Sequence, residues 1–243
     1  ERNRADALTK EVIGNISHDL KTPLTAIKGY AEGIMDGVAA TPERMERYVK
    51  TIHSKAVDMA GLVDELSYFT KIYQKVEDFR FAPVKASYFF AECISGMSLD
   101  LETRNIQLLY QCDVGEDVEI VIDEEKIKRV VANIVGNAVK YIQREQGMIL
   151  VNVEDQGSFI QVMIRDNGKG IGKEELPFIF ERFYRTDSSR NSRTGGSGLG
   201  LAIAKKIMDE HGGRIWAESE LGKGTEVYFT LKKETEQKEE HDE

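Results

Sequence analysis

Two apolar stripes at helical spacing open the chain. Ile13, Ile16, Leu20, Leu24, Ile27, Ala31 and Ile34 recur three and four residues apart, as do Met45, Val49, Ile52, Ala56, Met59, Val63, Leu66, Phe69 and Tyr73. Each stripe is the seam of a packed helix. Between them Gly37 can end a helix, and Thr41-Pro42 supplies an N-cap with proline at the first helical position. The pattern predicts a helical hairpin over residues 1–73 with a short loop. Two amphipathic helices alone make a poor core, so a dimeric four-helix bundle is the expected completion.

After residue 73 the pattern changes. Residues 74–83 read as a linker or hinge ending at Pro83. Residues 84–232 then alternate between the two periodicities. Helices are expected near 85–103, 124–143 and 199–211, and strands near 106–112, 118–122, 148–154, 158–165, 213–219 and 224–231. This is an all-α hairpin followed by an α+β two-layer sandwich with helices on one face of a sheet. The tail, 233–243, is nearly all charged or polar and is expected to be disordered.

Composition narrows the class without naming it. The chain has 243 residues, 41% hydrophobic and 31% charged, with a formal net charge of -9. That balance suits a soluble protein with a real core and argues against nucleic-acid binding, which needs basic surface. Cys93 and Cys112 have no metal-ligand spacing and fit a reducing compartment. No apolar run approaches a membrane span, and the charged start is no signal peptide.

One histidine stands out by helical phase. Ile16 and Leu20 lie on the first stripe, each two residues or roughly 200° of rotation from His18, which therefore points away from the seam. Position alone leaves an ordinary surface histidine open. Its neighbours favour chemistry: Asp19 can hold one imidazole nitrogen and raise the nucleophilicity of the other, and Thr22 follows on the same face. Pro23 removes a helical hydrogen bond at a cost of about 3 kcal/mol, which asks for a reason such as a bend beside a reactive group.

Three further elements suggest a nucleotide site. On helix 124–143, Asn133, Asn137 and Tyr141 share one face with Lys140 beside them, opposite Ile127, Val131, Ile134, Ala138 and Ile142. Amide oxygens suit Mg²⁺, and a lysine suits phosphate. A solvated polar face explains that helix equally well when it is taken alone. The turn Asp166-Asn167-Gly168-Lys169-Gly170 follows a strand, and Asp166 can accept from an adenine amino group. The segment Thr194-Gly195-Gly196-Ser197-Gly198-Leu199-Gly200 opens a helix whose amides can cradle phosphate. It is no Walker loop, and a plain flexible loop is the alternative.

Order and spacing together point to a family. Ser17-His18-Asp19-Leu20-Lys21-Thr22-Pro23-Leu24 resembles the phosphoacceptor box of sensor histidine kinases. The asparagine helix and the two glycine segments are similar to the boxes of the Bergerat ATP-binding fold, with Pro177–Arg185 resembling the phenylalanine box between them. The resemblance covers about residues 5–231. It implies a homodimer, with His18 phosphorylated from ATP, Asp19 assisting, and Thr22 positioning water for a phosphatase reaction. It further implies Mg²⁺ on Asn137, phosphate contacts from Asn133, Lys140 and Arg185, and Tyr141 beside the base. Asp166 would read adenine, with Gly168, Gly170, Gly196, Gly198, Leu199 and Gly200 shaping the pocket, and Phe180 and Phe183 serving equally well as core anchors for the lid or as contact residues. The partner would be the receiver domain of a response regulator, and the place cytoplasmic, with any membrane contact through segments outside this chain.

The sequence departs from the family pattern after Tyr141, where Ile142–Gly147 replaces the common turn, and at Asp19, where glutamate is commoner. An ATP hydrolase of the same superfamily would need a glutamate at the position of Asn133. A degenerate scaffold would not keep His18, Asn137 and Asp166 intact.

Overall fold

The computed structural model describes residues 2–74, 76–143, 145–185 and 197–234; the side chains of residues 2–13, 15, 16 and 18 lie outside the described set. The chain divides into two compact units, Glu1–Gln74 with Arg182–Leu199, and Lys75–Glu181 with Gly200–Glu243.

The first unit is built on a hairpin of α1 (Arg2–Met35) and α2 (Pro42–Tyr73). Gly37, at φ 74, turns the chain out of α1. Thr41 caps α2 by accepting from the Arg44 amide at 3.3 Å, with Pro42 at the first position. Tyr30 and Tyr48 meet edge to face across the hairpin, ring centroids 4.9 Å apart. α1 continues through Pro23, which is buried. Part of each predicted seam stays open to solvent: Leu24 is 54% exposed, Val49 51% and Val63 49%. A single hairpin thus leaves apolar surface uncovered.

In the second unit β1 (Ala82–Lys85) leads into α3 (Ala86–Thr103), β2 (Ile106–Asp113), β3 (Glu119–Ile122) and α4 (Glu124–Tyr141). β4 (Gly147–Asp155) and β5 (Phe159–Asp166) follow, with a single 3₁₀ turn at Leu176–Phe178. α5 (Gly200–Glu210), β6 (Ile215–Glu220) and β7 (Gly224–Lys232) complete the unit. Five strands form a mixed sheet in the order β2-β4-β5-β7-β6, and β1 pairs with β3 in a separate antiparallel ribbon. β2 runs parallel to β4, which the intervening β3 and α4 make possible; the other pairs are antiparallel.

Alternation along the strands sets the layers. Ile149, Val151 and Val153, then Ile160, Val162 and Ile164, then Phe229 and Leu231 point to one face and are almost fully buried. Phe89 and Phe90 of α3, Ile127, Val131 and Ile134 of α4, and Ile203 and Ile207 of α5 fill that face. The opposite side chains are half exposed, so one face is covered and the other wet. This is the expected two-layer sandwich.

Two stretches differ from the sequence expectation. The segment read as a linker, 74–83, runs into β1, whose four residues are too short to alternate visibly and pair only with β3. Lys233 and Glu234, read as tail, are fixed: the Lys233 ammonium reaches both Asp155 oxygens at 2.8 and 2.7 Å, and the Glu234 amide donates to Glu119 at 2.9 Å. The tail beyond Glu234 lies outside the described residues.

A buried histidine closes α5. His211 Nδ1–H donates to the Ile207 carbonyl at 2.8 Å, and Nε2 accepts from the Asp123 amide at 3.1 Å, so the ring is neutral. Burial lowers its pKa from the ordinary 6.5, against the opposing pull of the Ile207 carbonyl and the charges of Asp123 and Glu210. The unfolded chain therefore takes the proton first. Stability from this group is whole above about pH 6.5 and is lost as pH falls through the folded value. Urea titrations between about pH 7.5 and 5.5 should show this loss, and His211→Gln, which cannot titrate, should flatten it. An equal slope in the variant would contradict the assignment.

Candidate active site

The site residues fall into two sets, one on each unit. In the first unit His18, Asp19 and Thr22 ride on α1 just before Pro23. The His18 side chain lies outside the described set; Asp19 is half-buried and Thr22 exposed. The Asp19 carboxylate pairs with the Arg185 guanidinium at 3.8 Å, both side chains being about a fifth exposed (22% and 20%). Arg185, expected at the phosphates, is thus placed against the acidic neighbour of His18.

The stem of the glycine segment belongs to the same unit. The Phe183 amide donates to Gly198 at 3.1 Å, tying residues on either side of the stretch 186–196, which includes Gly196 and lies outside the described residues. Phe183 takes φ 58, a conformation bulky residues adopt only when held there. Its ring lies 5.9 Å from Phe69, and the Arg182 guanidinium sits 4.0 Å from the Tyr73 ring centroid. Ser197 is buried and hydrogen bonds to Glu65 and to the Leu199 amide, while Leu199 is 1% exposed. Leu199 is therefore a core anchor, a role its place in the glycine segment concealed.

The second unit carries the remaining residues, and α4 positions four of them. Asp123 caps this helix by accepting from the Lys126 amide at 3.2 Å. Its apolar side is buried as expected at Ile127, Val131, Ile134 and Ala138. On the polar side Asn133 and Asn137 are both half-buried. Asn133 donates to the Gly200 carbonyl at 2.9 Å, which fastens the start of α5 to the middle of α4. The Asn137 amide has no hydrogen-bond partner among the described residues. A half-buried amide left open in this way fits a ligand, and its oxygen is a hard donor suited to Mg²⁺.

Tyr141 ends α4 under two cations, the Lys169 ammonium 4.6 Å and the Lys140 ammonium 5.4 Å from its ring centroid. The Lys169 amide also donates to the Tyr141 carbonyl at 3.2 Å. Lys169 was not among the expected site residues. Its only local signal was a cation inside a glycine turn.

That turn is held rigidly. Asp166 Oδ1 accepts from the Gly168 amide at 2.7 Å. Asn167 accepts from the Met148 amide at 2.9 Å and donates to Gln146 at 3.2 Å. Gly170 has φ 70, and a Cβ there would stand 2.1 Å from the Glu220 carbonyl oxygen, so no other residue fits. Burial pushes the Asp166 carboxyl above its ordinary value, while the amides of Gly168 and Thr225 pull it down. A fixed, partly desolvated carboxyl is a selective acceptor for one ligand N–H.

Residues 9–74 match the His Kinase A (phospho-acceptor) domain, and residues 122–235 match the histidine kinase-, DNA gyrase B-, and HSP90-like ATPase family. The chain is 33% identical to the sensor histidine kinase WalK of Bacillus subtilis (strain 168), over 100% of this chain and 40% of that protein. It is 36% identical to the sensor histidine kinase YkoH of the same organism, over 90% of this chain and 46% of that one. It therefore spans less than half the length of either relative. Among solved structures it is similar to a nucleotide-free catalytic domain of the histidine kinase ThkA, at 30% identity and TM-score 0.54 over 63% of this chain and 97% of that one. It also resembles ThkA in complex with the response regulator protein TrrA, at 25% identity and TM-score 0.68 over 96% of this chain and 64% of that one. No helix among the described residues is long and apolar enough to cross a membrane. With a phosphoacceptor domain followed by an ATPase-like domain along one chain, the protein belongs to the two-component sensor histidine kinases, of which it carries the transmitter portion.

Proposed function

We propose that the chain is an ATP-dependent protein-histidine kinase that phosphorylates His18 and passes the phosphate to an aspartate on a response-regulator receiver domain. The observation that carries this reading is the open Asn137 amide on α4, one turn from Asn133 and from Lys140 and followed by the fixed Asp166 turn. In the reaction a ring nitrogen of His18 forms a bond to the γ-phosphorus, the bond to the β,γ-bridging oxygen breaks, and ADP leaves. The displaced ring proton goes to Asp19 or to solvent. Such transfer needs mainly positioning and charge neutralisation.

Each residue has a stated task. Asp166 accepts from the adenine amino group, and Tyr141 flanks the base. Lys140 lies against the phosphates. Asn137 would hold Mg²⁺, which when bound would supply positive charge against the phosphates. Asn133 contributes through the start of α5, where Gly200 follows Leu199. Arg185 links the lid stem to Asp19 and reaches phosphate when that pair opens. Thr22 positions a water when phosphate is removed from the regulator.

We further read the protein as a homodimer, because Leu24, Val49 and Val63 of the hairpin seam stay about half exposed in a single copy. Its place would be the cytoplasmic portion of a membrane-anchored sensor, the anchor lying in segments outside this chain.

Incubation with γ-labelled Mg-ATP should give label that is stable to base and labile to acid. His18→Ala should keep ADP affinity and lose that label; acid-labile label retained in the variant would sink the assignment. Asn137→Ala should slow labelling by about a hundredfold or more, as for loss of one charge-stabilising group. An unchanged rate would remove Asn137 from the site.

A further inference from the structure

Three buried polar side chains of the second unit take no part in the nucleotide reading. Asp123 is 6% exposed, Lys126 8% and His211 9%, and all three meet the chain that enters the unit ahead of β1. The Lys126 ammonium pairs with Glu77 and lies 5.9 Å from the Phe79 ring centroid. One Asp123 oxygen caps α4, while the other accepts from the Arg80 amide at 2.9 Å. His211, bonded to the Asp123 amide, receives the rings of Phe79 and Phe81 edge-on at 5.7 and 4.9 Å.

These contacts do not resemble a linker resting loosely on a surface. The Lys126 ammonium is buried, so pulling the Glu77 carboxylate away from it removes a charge-assisted contact from a poorly solvated place, which is costly. Detachment would also free one oxygen of the Asp123 cap and part the half-buried Phe79 ring from His211. The attachment point is the first turn of α4, the rigid helix that carries Asn133 and Asn137 about 15 and 21 Å further along its axis. Residues 77–81 are thereby fastened to the near end of the helix, remote from the proposed metal and phosphate ligands.

We propose that Glu77, Asp123, Lys126 and His211 are positioning residues for phosphotransfer, strapping the entering chain to the start of α4 and so setting turnover without touching nucleotide. This rests on the kinase reading above. A strap of this kind governs how the nucleotide is presented, not how tightly it is held. Its loss should lower the maximal rate and leave nucleotide affinity alone.

The test uses the full chain with Glu77→Gln, Lys126→Glu, and the exchanged pair Glu77→Lys with Lys126→Glu. Histidine labelling at saturating Mg-ATP should fall about two- to thirtyfold in the single variants, the range for residues that couple sites without contacting either ligand. The KM for ATP and the calorimetric affinity for ADP should stay at wild-type values, and the exchanged pair should recover most of the rate. The Arg80 amide should resist hydrogen exchange in the wild type and lose that protection in Glu77→Gln. Wild-type turnover in Glu77→Gln with an exposed Arg80 amide would overturn the proposal, as would equal loss of turnover and ADP affinity. A wild-type protein that binds ADP but takes no label would instead overturn the kinase reading.

Discussion

Two places where main chain touches main chain govern the second unit. At Gly224 an added Cβ would stand 1.9 Å from the Asp166 carbonyl oxygen, and at Gly170 it would stand 2.1 Å from that of Glu220. No rearrangement of flexible side chains could relieve either clash, because the obstacle is backbone. The end of β5, the turn after it and the β6–β7 hairpin are therefore pressed together without side chains between them. The Gly222 amide, donating to the Lys169 carbonyl at 2.7 Å, adds a hydrogen bond to the same junction. From this junction come the fixed direction of the Asp166 carboxyl and the position of Lys169 against Tyr141.

The chemistry is divided in a way that follows from this rigidity. The groups proposed to recognise a nucleotide sit on elements with little freedom: α4, packed along its apolar side, and a turn locked by Asn167. The groups proposed to react sit on α1, just before a proline that removes one of its hydrogen bonds. Arg185 belongs to neither pattern. It lies beside the glycine segment in sequence and against Asp19 in space, so the residue next to His18 is engaged by a cation from the stem of that segment.

What was legible in the sequence was local. Period-four spacing on α4 separates Ile127, Val131 and Ile134 from Asn133 and Asn137, and the structure keeps that separation. The glycine turn and both helices of the hairpin are visible for the same reason, since each depends on residues a few positions apart. Long-range events were not legible. Nothing near Asn133 in sequence announces its bond to Gly200, and nothing near Glu77 announces the buried ammonium of Lys126. β1 was read as linker because a four-residue strand containing Pro83 shows no alternation and gains its identity only by pairing with β3. Leu199 shows the opposite failure: among glycines it reads as part of a lid, yet it is buried.

The claim that these rigid elements make an adenine site rests most directly on the Asp166 carboxyl, which should distinguish a base bearing an exocyclic amino group from one that lacks it. Calorimetric affinities for ADP and inosine diphosphate, compared in the wild type and in Asp166→Asn, measure that distinction alone. A site built to accept one hydrogen bond discriminates by about tenfold or more when the donor is missing. The account predicts such a preference for ADP in the wild type and its collapse in Asp166→Asn. Equal affinities in the wild type, or an undiminished preference in the variant, would contradict it.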